Sequence, residues 1–87
     1  MDFDPLLIRF FGTADIDTLD EDALVSGVNR LRVQFGLERG PEKRFELWCI
    51  MYLLGIAPAA DDAFKDEADR QAARDFMIEA DEEVDGD

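Results

Sequence analysis

The sequence predicts an all-α fold: a small compact bundle of four to five helices around a central apolar helix at about residues 41–54. Three observations lead there. Helix-start and helix-stop signals recur along the chain, with Asp4-Pro5, Thr18-Leu19-Asp20-Glu21 and Gly40-Pro41 as starts and Gly12, Gly36 and Gly55 as stops. The apolar residues between these signals fall at helical spacing. No segment alternates apolar and polar residues convincingly at the strand period, so no sheet is expected.

The first helix follows from Asp4 as N-cap, Pro5 at the first helical position and Gly12 as stop. Leu6, Leu7, Phe10 and Phe11 form its apolar face, which Ile8 misses. Thr18-Leu19-Asp20-Glu21 reads as a capping box, with the hydroxyl at the cap and a carboxylate three residues on. That predicts a second helix over about 19–35, with Leu24, Val25, Val28, Leu31 and Phe35 on one face and Val33 opposite. Gly36 is expected to close it in the left-handed conformation, with Leu37 folded back as the hydrophobic contact.

Gly40-Pro41 opens the third helix and Gly55 ends it. Between Phe45 and Leu54 only Glu46 is charged. A helix apolar nearly all round is one buried on most sides. The alternative, a membrane span, needs about 20 apolar residues. Here Gly55 and Pro58 interrupt the run well before that length. Pro58 opens a short fourth segment with Ala60, Ala63 and Phe64. The last helix covers about 66–80, with Ala72, Ala73, Phe76, Met77 and Ala80 on one face, Ile78 off it, and an Asp66–Arg70 pair one turn apart. Residues 1–80 thus read as a single helical domain and residues 81–87 as an acidic flexible tail.

Composition bounds the function. The chain has 87 residues, a net charge of −13, one cysteine and no histidine. Such a charge repels nucleic acid and anionic membrane. Neither direct nucleic-acid binding nor membrane association is expected; a partner with a basic surface is. One cysteine excludes a disulfide framework, and a lone thiol suits a reducing compartment. The N-terminus lacks the basic start and long apolar run of a signal peptide, so a cytoplasmic location is expected.

The charge is unevenly spread: residues 1–29 carry −6, residues 30–46 carry +2 and residues 61–87 carry −9. Arg30, Arg32, Arg39, Lys43 and Arg44 make the basic segment. They read either as a patch that the acidic flanks neutralise or as a docking site for an acidic partner or a phosphate.

Few side chains can do chemistry. Without histidine the only serine, Ser26, has no base, and Cys49 lies in the apolar run where burial makes a thiol inert. Glu46, among Phe45, Leu47 and Trp48, is the best carboxylate for acid–base work, but a first-turn residue that points to solvent or pairs with Lys43 is the favoured reading. Asp81-Glu82-Glu83-Val84-Asp85-Gly86 reads like the opening of a calcium loop that lacks its final glutamate, and Asp15-Ile16-Asp17 fails the same pattern. Asp17-Thr18-Leu19 resembles the Asp-Ser-Leu of acyl carrier proteins over a few residues; threonine replaces the serine that takes the phosphopantetheine arm, so none is expected here. No catalytic, cofactor or metal site is expected, and the chain is not read as an enzyme.

The expected function is that of a small non-enzymatic acidic helical protein acting through protein–protein contacts, as adaptor, regulator or inhibitor. Its partner is another protein or a second copy. Candidate contact residues are Ile78, Val33, Arg39, Lys43 and Arg44. The alternative is a DNA mimic: eleven carboxylates lie between Asp61 and Asp85. Arranged along one continuous helix they would approach the phosphate spacing of one DNA strand, about 3.4 Å, although Arg70 and Arg74 interrupt the array.

Overall fold

The computed structural model describes the backbone of residues 3–84 and the side chains of residues 3–82. Within them lie α1 (Asp4–Phe11), a 3-10 turn (Ile16–Thr18), α2 (Glu21–Leu37), α3 (Pro41–Leu53), α4 (Ala60–Ala63) and α5 (Glu67–Val84). No strand occurs among the described residues, so the predicted all-α class holds. The chain divides into two compact units, one ending at Glu38 and the other beginning at Arg39.

In the first unit α1 packs on α2. Pro5 sits in the first turn, but Asp4 is already helical and no side chain caps the start. At the other end Gly12 adopts φ 79°, and its N–H donates to the Ile8 carbonyl at 2.8 Å, the expected left-handed stop. Phe10 and Phe11 are buried. The Phe11 ring lies against Gly27 of α2, where any Cβ would meet its Cδ1 and Cε1 atoms. The close approach of the two helices is therefore built on that glycine.

Two expectations for α2 are corrected. Asp20, not Thr18, is the N-cap: its Oδ1 accepts from the Ala23 N–H at 2.8 Å. Thr18 instead closes the 3-10 turn, its hydroxyl donating to the Asp15 carbonyl at 2.8 Å. Aspartate caps at least as well as threonine and adds its charge to the helix dipole, so the start moves two residues on. Gly36 is not a left-handed stop either. The helix runs through it and ends at Leu37, with Glu38 extended at φ −74°, ψ 130°. Only three residues later Pro41 begins α3, and the chain reaches it through extended backbone without needing a positive φ.

In the second unit Gly40 and Pro41 open α3 as predicted, and Gly55, at φ 79°, follows its end. Five consecutive residues, Leu47 to Met51, are buried. Consecutive helical positions point in every direction, so α3 is enclosed all round at this level. Leu53 escapes, contrary to expectation, and is exposed. Trp48, Tyr52, Phe45, Phe64 and Phe76 form an aromatic cluster whose ring centroids lie 5.5–6.5 Å apart. It joins α3 to α5 and to the segment after α4.

Helix α4 is a single turn, and two guanidinium groups bind its C-terminal end. Arg44 Nη2 donates to the Ala63 carbonyl at 2.6 Å and Arg70 Nε to the Phe64 carbonyl at 2.7 Å. Helix C-termini leave carbonyls without partners and favour cations, so both arginines have a structural task. The expected Asp66–Arg70 pair is absent: Asp66 Oδ1 accepts from the Ala68 N–H at 3.0 Å at the start of α5, and Arg70 lies 4.0 Å from Glu67. Helix α5 continues to Val84 rather than ending at 80, and the Tyr52 hydroxyl donates to Asp81 Oδ1 at 2.9 Å. The part of the expected flexible tail from 85 to 87 lies outside the described residues.

Candidate functional site

The candidate contact residues fall in different places. Val33 lies on α2 and is 62% exposed; Ile78 lies on α5 and is 57% exposed. Both miss the core, as their spacing predicted. Arg39, Lys43 and Arg44 belong to the second unit, whereas Arg30 and Arg32 belong to α2 in the first. Arg44 is committed to Ala63. Arg39 and Arg44 line an open cleft of about 490 Å³ together with Lys65, and Asp62, Asp66 and Asp69 line it too. Three cations facing three carboxylates give no preference for an anion. Lys43 is exposed and is not among the lining residues.

Acidic residues meet the basic segment only in part, through the carboxylates that line the cleft with Arg39 and Arg44. Among the described residues the ion pairs join Arg70 and Arg74 to Asp61 and Glu67, and none forms on Arg30, Arg32, Arg39 or Lys43. Arg74 reaches Asp61 at 2.6 Å and Glu67 at 3.3 Å. The hydrogen bond to Asp61, then that to Glu67, raises its already high pKa further.

The residues weighed for chemistry are placed as follows. Cys49 is fully buried, and burial, with a smaller push from Glu46, raises its thiol from 9.0 to about 12. Glu46 is half-buried and Ser26 exposed. Residues 81–84 belong to α5, so the first four positions of the calcium-loop pattern lie on a helix, and its last two lie outside the described residues. No cluster of potential metal ligands occurs among the described residues, and no helix among them is long and apolar enough to cross a membrane. The carboxylates between 61 and 82 do not share one helix, because α4 ends at Ala63 and α5 begins at Glu67.

The surface that spacing alone failed to isolate is the outer face of α2. Val25 was expected in the core and Leu37 against the helix end; instead they are 52% and 70% exposed. With Val33 and Asn29 they form a stripe at intervals of four residues, one turn apart each time. The opposite face carries Gly27, Leu31 and Phe35, all buried. An α2 apolar on two faces has more apolar surface than its own unit covers. The signal was present in the 25/29/33/37 spacing, but Val25 also fits the margin of the core face. Comparison of the chain with protein-family models, with curated proteins and with solved structures finds no match in any of the three.

Proposed function

We propose that this protein is a non-enzymatic helical module that works through protein–protein contacts made by the outer face of α2. The observation that carries the reading is the exposed stripe of Val25, Val33 and Leu37 opposite a buried face of the same helix. A single exposed valine needs no explanation, but three along one helix face match the anchor spacing of helix-mediated recognition. The chain's only thiol is enclosed and held protonated, which supports a role in binding rather than nucleophilic chemistry. The DNA-mimic alternative has less support, because the carboxylates are split between two helices and Arg74 occupies two of them.

The test is quantitative capture of cellular partners by the wild-type chain and by Val33→Asp, both checked for native melting. A partner retained by the first and lost by the second is the expected outcome. Identical captured sets would remove α2 from the contact.

A further inference from the structure

We infer that the outer face of α2 binds a second copy of this chain, antiparallel, about a two-fold axis passing beside Asn29. This rests on the interaction reading above and names its partner. Val25 and Val33 each stand four residues from Asn29 on the exposed stripe. Reversing the helix about Asn29 sets Val25 of one copy against Val33 of the other, and the converse. Over Val25, Asn29 and Val33 the stripe reads alike in both directions, as an isologous contact requires, while Leu37 comes level with Glu21 of the other copy. At the axis Asn29 meets its own equivalent, and a side-chain amide offers both donor and acceptor, so the two copies can satisfy each other.

Charge selects the antiparallel direction. On the helical wheel Glu21 and Arg32 lie on one margin of the stripe and Arg30 on the other. The two-fold keeps margins together, so Arg32 of each copy comes alongside Glu21 of the other, with Asp22 close by. A parallel pair exchanges the margins and would set Arg32 of each copy beside Arg30 of the other. Arg32 forms no ion pair among the described residues and is exposed. Arg30 opposes the contact: its two copies share a margin near the axis, where like charges repel.

The dimer is weak. The 17 residues of α2 span roughly 25 Å, and one helix face of that length buries less than the about 800 Å² per partner of a standard interface. Each copy also carries −13, although 0.15 M salt screens charges more than about 8 Å apart. A Kd on the order of 100 μM follows.

Sedimentation of the full chain between about 10 μM and 1 mM, bracketing that Kd, tests the idea. A monomer–dimer equilibrium is expected, weakened at least about tenfold by Val33→Asp. Arg32→Glu should weaken it and Arg30→Gln strengthen it, each by roughly two- to threefold. With oxidised glutathione, Asn29→Cys should yield a disulfide-linked dimer. Glu21→Cys should not, because its two copies lie roughly 24 Å apart in this arrangement. The native Cys49, fully buried, adds no background. A strict monomer at every concentration, a dimer indifferent to Val33→Asp, or cross-linking through Glu21→Cys as fast as through Asn29→Cys would each overturn the inference. A monomer whose cellular partner is still lost with Val33→Asp would sink self-association and leave the interaction reading standing.

Discussion

The indole N–H of Trp48 donates to the Pro58 carbonyl at 2.9 Å while its ring stacks on Tyr52 at 5.5 Å. One side chain thus fixes the course of the chain after α3 and anchors the aromatic cluster that holds α3 to α5. Trp48→Ala is expected to cost about 3–5 kcal/mol of stability. Trp48→Phe retains a ring but leaves the Pro58 carbonyl without its donor, and should cost about 1–3 kcal/mol. Urea unfolding reads both. An alanine variant as stable as the parent would contradict the role given to this residue.

Gly27 and Gly36 lie on the same helix and should respond to alanine with opposite signs. At Gly27 a new Cβ runs into the Phe11 ring and comes within 3.0 Å of the Phe10 carbonyl oxygen. The overpacking, about 1–3 kcal/mol, outweighs the helix-propensity gain of about 1 kcal/mol. At Gly36 nothing lies within 4 Å and φ is not positive, so alanine should add about 0.5–1 kcal/mol. Thermal melts of the two variants decide it; equal shifts would show that α1 does not press on α2 at Gly27.

Alkaline pH should destabilise the fold. Burial raises Cys49 to about 12, and the hydrogen bond to Asp81 raises Tyr52 above its ordinary 10.0. In both cases the folded state holds its proton more tightly than the unfolded state. Their contribution is therefore complete below the unfolded values and declines as pH rises from about 9 towards 12. Stability measured across that window should fall. Cys49→Ala should flatten the decline, and Asp81→Asn should lower the pH at which the Tyr52 phenol titrates in ultraviolet absorbance. A thiol that reacts with a disulfide reagent at pH 8 without unfolding would contradict the burial of Cys49.

Arg44 and Lys43 are adjacent in sequence and unequal in structure. Arg44→Ala removes the donor to Ala63 and should cost about 1–2 kcal/mol. Lys43→Ala, at an exposed position without an ion pair among the described residues, should stay within about 0.5 kcal/mol. Comparable losses in denaturant titrations would mean that the end of α4 does not depend on the guanidinium.

Helix content, the Gly12 and Gly55 stops, the Pro41 start and the enclosure of α3 were all legible in the sequence. Each depends on local chemistry: a ring that sets φ, a missing Cβ that permits positive φ, or a run of apolar residues too dense for any solvent-facing helix. The start of α2 was misread by two residues because Thr18 and Asp20 are both good caps, and the 3-10 turn decided between them. Gly36 failed as a stop because a glycine only permits a left-handed turn. Which apolar face of α2 stays exposed, the reassignment of Arg44 from a surface patch to the end of α4, and the partition of the carboxylates by Arg74 came from tertiary structure alone. A helix with apolar residues on two faces does not declare which face it buries, and a long cation finds its partner through space at separations of up to 19 residues. Those choices belong to packing, which in the first unit was made where Phe11 found Gly27, an α2 position without a side chain.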